Sequence, residues 1–93
     1  MWATGTKTLD ERISQGPSAS LTTPGQNLQT VLERAQRRGM KVGDVSTAEI
    51  TDATPAVLAS HVSQRGCQGP ADTVPLCPTE TKQAGGLGSI AEQ

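Results

Sequence analysis

Asp52, Thr54 and Arg65 are the residues of this chain whose types best suit chemistry on a phosphate or a hard cation. Asp52 and Thr54 sit in Asp52-Ala53-Thr54-Pro55, one residue after Val45-Ser46-Thr47-Ala48-Glu49-Ile50. A carboxylate and a hydroxyl are both oxygen donors, which suits Mg²⁺ better than zinc. The competing reading is local: Asp-Ala-Thr-Pro is also a good helix start, and capping is the commonest work of such residues. Arg65 offers a planar fork that can grip phosphate through two parallel hydrogen bonds. Near the end of a helix it would equally be a cation placed favourably on the helix dipole. If that helix runs unbroken from Thr54 to Arg65, the eleven positions between them amount to roughly 16 Å. Spacing alone therefore does not assemble one site.

Three further groups carry weaker signals. Cys67 and Cys77 have nine residues between them, unlike the C-x-x-C spacing of zinc or thiol-redox motifs. A disulfide there would close a short loop and stabilise it by roughly 2–3 kcal/mol, and would point to an oxidising compartment. The alternative is a pair of free thiols. His61 is the lone histidine, and no G-x-S-x-G elbow accompanies it, so a packed or solvated role outranks a hydrolase triad. Gly85-Gly86-Leu87-Gly88-Ser89 precedes a helix start and resembles a phosphate-binding loop, but it lacks a Walker lysine.

The elements that must position these residues can be read from periodicity. Trp2 to Thr8 is loop or extended chain, and Leu9 to Ile13 forms a short helical turn that Gln15-Gly16-Pro17 ends. Ser18 to Thr23 is loop. Thr23-Pro24 reads as a cap with proline at the first helical position. Leu28, Val31, Leu32 and Ala35 then predict an amphipathic helix over Pro24–Arg38, closed by Gly39. Val42, Val45, Thr47 and Ile50 predict a strand within Met40–Ile50. Thr54-Pro55 predicts a second cap, with Val57, Leu58, His61 and Val62 carrying a helix to about Arg65. Helix followed by strand is the pattern of an α/β protein. Residues 67–88, rich in proline and glycine, read as loop. Ser89-Ile90-Ala91-Glu92 is a capping box, the start of a helix that the chain would cut short.

Composition limits what this can be. Of 93 residues 33% are apolar, many of them alanine, and Trp2 is the sole aromatic. Burial worth about 25 cal/mol per Å² must offset ordering costs of roughly 1–2 kcal/mol per residue, so the core is expected to be marginal. The net charge is −1. Arg34, Arg37 and Arg38 form the one basic cluster with no aromatics interleaved, so a solvated helix face is expected and no nucleic-acid partner. No apolar run reaches membrane-spanning length, and the N-terminus has no signal-peptide pattern.

Taken together, the ordered segments resemble the bacterial alkaline phosphatases. Trp2-Ala3-Thr4-Gly5-Thr6-Lys7-Thr8 is similar to the W-[SA]-T-G-x-K-T run that follows that family's nucleophile. The helix with Leu32 and Ala35 ending at Gly39, Val45-Ser46-Thr47-Ala48-Glu49, Asp52-Ala53-Thr54-Pro55-Ala56 and His61-Val62 follow in order. Arg65-Gly66-Cys67, Gly69-Pro70, Cys77-Pro78, Gly86-Leu87-Gly88-Ser89-Ile90 and Glu92-Gln93 complete the match, with Asp10 to Pro24 the least similar part.

The resemblance implies phosphate-monoester hydrolysis through a phosphoserine, with two zinc ions and one Mg²⁺. It implies an α/β/α sandwich, of which this chain would be a fragment with two to three helices, one or two strands and a long disulfide-closed loop. Thr54 would ligate Mg²⁺, Asp52 would hold the magnesium's water shell, Arg65 would grip the substrate phosphate, and Cys67–Cys77 would be a disulfide. A periplasmic or extracellular homodimer would be the parent protein. The family's serine would precede the Trp2 motif and its zinc ligands would follow Gln93, so residues 1–93 are expected to be an internal, separately inactive piece of that domain. The rival expectation is a small, stand-alone, disulfide-containing interaction module without catalytic activity.

Overall fold

The computed structural model describes residues 1–93. Three seven-residue helices, α1 (Val31–Arg37), α2 (Ala53–Ala59) and α3 (Pro70–Leu76), are joined by irregular chain. Single 3₁₀ turns follow at Pro78–Glu80, Lys82–Ala84 and Ile90–Glu92. No strand forms; pairing is limited to isolated antiparallel bridges, Ile13 with Val62 and Gln15 with Asn27. Of 38 backbone hydrogen bonds, 31 lie in turns, loops and caps, so loop-to-loop contacts hold the chain together.

Local chemistry explains each departure from the periodicity. α1 begins seven residues later than Thr23-Pro24 predicts, because Thr30 and Glu33 form a reciprocal capping box. The Glu33 amide donates to Thr30 Oγ1 at 3.1 Å, and the Thr30 amide donates to Glu33 Oε2 at 2.8 Å. Residues 26–28 instead lie along residues 14–16: the Gly16 amide donates to Gln26 O at 2.7 Å and the Leu28 amide to Ser14 O at 2.9 Å. The stop is as expected, with Gly39 at φ +79°.

The strand expected within Met40–Ile50 is absent, and those residues are coil ending in a bend. A strand is stable only when a neighbour accepts and donates along its edge, and here nothing pairs with it. Val45 is 98% exposed and Ile50 65%. The helix expected to reach Arg65 stops at Ala59, since Ser60 is extended at φ −127°, ψ 158°. Ile13 and Val62 exchange both amide bonds at 3.0 and 3.1 Å, and the Arg65 amide donates to Glu11 O at 2.7 Å. The backbone that would continue the helix is thus committed to a segment some fifty residues away.

Residues 67–88 are not simply loop. Pro70 takes the first helical position of α3, where its missing N–H costs nothing, and Asp72 Oδ2 accepts from the Gly69 amide at 3.1 Å. The Ser89–Glu92 capping box forms, but it opens a 3₁₀ turn. The expected Cys67–Cys77 disulfide is present, with Cα atoms 6.4 Å apart. It lies within a small apolar core of Ile13, Ala56, Val62, Cys67, Cys77 and Ile90, flanked by Ala53 and Val57.

Candidate functional site

The chain reversal after α2 builds the site. Asp52 caps α2, its Oδ1 accepting from the Ala53 amide at 2.8 Å. Because α2 is about two turns rather than three, the segment after Ser60 runs back along residues 11–13 and returns Arg65 to the helix start. Arg65 Nη2 donates to the same Asp52 Oδ1 at 2.5 Å. Sequence spacing along a continuous helix had kept these groups apart; the early stop brings them into contact.

The Ala53 amide and then the Arg65 guanidinium hold the Asp52 carboxyl below the usual carboxylate range. The same contact orients the Arg65 guanidinium from one side. Arg65 is 44% exposed. It lines an open cavity of about 470 Å³ with Lys7, Asp10, Glu11, Ala53 and Val57 among its walls. Thr54 is exposed two residues into the same helix start but is not among the walls of that cavity. The structure thus joins Asp52 with Arg65 and leaves Thr54 beside them on the surface.

As a metal environment, this corner provides hard oxygens only. A carboxylate and a neighbouring accessible hydroxyl match the donor preference of Mg²⁺, which takes one or two protein oxygens and fills its octahedron with water and phosphate. No group of three or more His, Cys, Asp or Glu side chains is placed to hold a metal ion of any kind.

Several buried polar groups that the sequence did not single out support this corner. The Glu80 carboxylate is buried and accepts from Ser63 Oγ at 2.5 Å, the Ser63 amide at 3.1 Å and Gln15 Nε2 at 2.6 Å. It fixes the extended stretch that leads to Arg65. Arg12 is buried too, donating to Gly16 O, Ser18 Oγ, Ser20 O and Thr23 O at 2.7–2.9 Å, which folds residues 16–23 around one guanidinium.

His61 is a packed residue, as expected. Its Nδ1 lies 2.9 Å from Ser14 O and its Nε2 2.9 Å from Glu33 Oε1. Burial pushes the Glu33 carboxyl up, but the His61 contact, the Thr30 amide and Arg37 together carry it below its ordinary value. The only sequence signal for these groups was indirect: polar residues in a chain too poor in apolar side chains to bury anything else. The glycine-rich run before Ser89 carries no phosphate loop, since Gly86 packs against the Glu80 backbone and the Gly88 amide donates to Glu80 O at 2.8 Å.

The model of the alkaline phosphatase family matches residues 1–93. Streptomycin-6-phosphate phosphatase of Streptomyces griseus is 47% identical over 92 residues, covering 99% of this chain and 19% of the relative. Alkaline phosphatase of Escherichia fergusonii is 44% identical over 96 residues, covering 99% and 18%. That of Escherichia coli K12 is 41% identical over 92 residues, with the same coverage of 99% and 18%. The chain therefore spans about a fifth of the length of these relatives.

Proposed function

The chain belongs to the alkaline phosphatase family, and we propose that it forms the part of a phosphomonoesterase that grips the substrate phosphate and borders a magnesium site. The observation that carries the reading is the Arg65 guanidinium, anchored by Asp52 through one nitrogen at 2.5 Å at the edge of an open cavity. With Nη2 held, the rest of the fork is presented in a fixed plane, and the ordering cost of binding phosphate is already met by the fold. Lys7, on the same cavity, adds a second positive charge.

In this reading Asp52 has two tasks. It orients Arg65, and it would hold the water shell of a Mg²⁺ for which Thr54 would be the protein ligand. The ion, when bound, supplies charge stabilisation and a more acidic water. The reaction of the whole protein is hydrolysis of phosphate monoesters through a phosphoserine. The residues for its zinc chemistry do not lie together in this chain, so residues 1–93 alone are proposed to be inactive. The buried Cys67–Cys77 bridge favours an oxidising compartment, hence a periplasmic or extracellular parent, and family membership favours a homodimer. No helix is long and apolar enough to cross a membrane.

Titration of the chain with inorganic phosphate, followed through the arginine side-chain N–H resonances, tests the grip. The expected result is a saturating shift of Arg65 that Asp52→Asn weakens about tenfold. Shifts that fail to saturate, or that leave Arg65 unmoved, would defeat the assignment.

A further inference from the structure

The early end of α2 returns Arg65 to Asp52, and every amide that would carry the helix further has another acceptor. Past Ala59, helical bonding would send the His61 amide to Val57 O, the Val62 amide to Leu58 O and the Ser63 amide to Ala59 O. None of the three is so used. The His61 amide donates to Gln93 Oε1 at 2.9 Å, the Val62 amide to Ile13 O at 3.1 Å and the Ser63 amide to the Glu80 carboxylate at 3.1 Å.

Val57 O and Leu58 O are thereby left without the amides a longer helix would supply, and the last carbonyls of a helix need donors from outside it. Two hydroxyls from distant segments provide them. Ser14 Oγ donates to Val57 O at 2.5 Å across 43 positions, and Thr30 Oγ1 to Leu58 O at 2.6 Å across 28. Both residues are buried, Thr30 completely. The Thr30 hydroxyl also accepts from the Glu33 amide, so a single side chain opens α1 and closes α2. Ser14 reaches α2 from a backbone at φ +46°, in the left-handed region that favours glycine. The bond to Val57 O is the one hydrogen bond its side chain makes.

We propose that the Ser14 and Thr30 hydroxyls fix where α2 ends and are thereby positioning residues for Arg65. With either carbonyl uncapped, the helical bond from His61 or Val62 competes with the extended path. A helix prolonged to Val62 would break the pairing with Ile13 and carry Arg65 away from Asp52. The consequence for phosphate rests on the Arg65 grip proposed for the family reaction; the placement of Arg65 against Asp52 does not.

Ser14→Ala and Ser14→Gly each remove one hydroxyl, the second at a φ where glycine is at ease. Thr30→Val removes the other at nearly the same volume, and Thr30→Ser retains it. Amide hydrogen exchange and Cα chemical shifts, measured on the 93-residue chain, read the path after α2. In the three variants lacking a hydroxyl, exchange at the Val62 and Arg65 amides is expected to accelerate at least about tenfold. The Cα shifts of residues 60–62 should move from extended toward helical values. Thr30→Ser is expected to behave as the unsubstituted chain. The Cys77 amide, held by Thr73 O at 2.8 Å at the end of α3, is the internal reference and should be unchanged. Inorganic phosphate should bind the same three variants about tenfold more weakly.

Unchanged exchange at Val62 and Arg65, Cα shifts that stay extended, equal acceleration at Cys77, or a Thr30→Ser as damaging as Thr30→Val would each overturn the proposal. If the unsubstituted chain binds no phosphate, Arg65 loses its role as a grip, and exchange at Val62 and Arg65 still decides the role of the hydroxyls.

Discussion

Residues 60–93 and residues 40–51 have opposite relations to solvent, and Asp52 stands where they meet. The first stretch contains the disulfide, the buried Glu80 network and most of the core. The second has no ladder, and Val45 and Ile50 are turned to water. The contrast teaches that in a chain with so few large apolar side chains, order comes from cross-links and satisfied polar groups more than from apolar area. It also places the candidate corner at the border: Arg65 belongs to the anchored stretch and Asp52 directly follows the free one, and their contact ties the two.

The largest effect is expected from Glu80→Ala. It leaves the Ser63 amide, Ser63 Oγ and Gln15 Nε2 without their acceptor and should cost about 3 kcal/mol, read by urea denaturation. A cost below about 1 kcal/mol would mean that the network does not anchor residues 60–93. Next comes Cys67→Ser with Cys77→Ser, expected to cost roughly 2–3 kcal/mol. Hydrogen exchange should then accelerate at Ile90 and Ala91, whose amides donate to Cys67 O and Gln68 O, with no change in residues 40–48.

Acid should act more gently. Glu33 has its folded pKa lowered, so its contribution is complete above its unfolded value near 4.5 and is lost as pH falls through the folded value. Asp52 follows the same sign from an ordinary value of 3.8. Stability is therefore expected to be level above the ordinary carboxylate range and to fall below it. Glu33→Gln should flatten part of that fall, and an unchanged profile would sever Glu33 from it. The smallest effect belongs to Val45→Ser, expected within about 0.5 kcal/mol; a larger loss would show that the free stretch is packed after all.

What the sequence made legible was local. Gly39 as a helix stop, the Ser89–Glu92 capping box and the scarcity of core all follow from near neighbours. The disulfide and the family pattern were legible from the joint order of short motifs. Two of the misreadings involve contacts distant in sequence, and two are local. Val57, Leu58, His61 and Val62 have helical spacing, yet Val62 pairs with Ile13 and His61 reaches Glu33 and Ser14. The strand expected within Met40–Ile50 rested on β-branched residues, whose preference is expressed only against a neighbouring strand. Thr30–Glu33 is a capping box in plain view, but Thr23-Pro24 offered an earlier start. α3 lies in a stretch whose prolines suggested loop, although one of them suits a first turn. Asp52 and Thr54 were identifiable as residue types; their relation to Arg65 was not, because it depends on where α2 ends.

Exchange into a whole phosphatase tests the role of Arg65. Residues 1–93 would replace the matching segment of the Escherichia coli alkaline phosphatase, to which they are 41% identical over 92 residues. Hydrolysis of a phosphate monoester would then be compared for this chimera and its Arg65→Ala form. The chimera is expected to be active, its kcat/KM falling about ten- to a hundredfold on losing the guanidinium, with its melting temperature little changed. A chimera that folds but is inactive, or one indifferent to Arg65, would contradict that role.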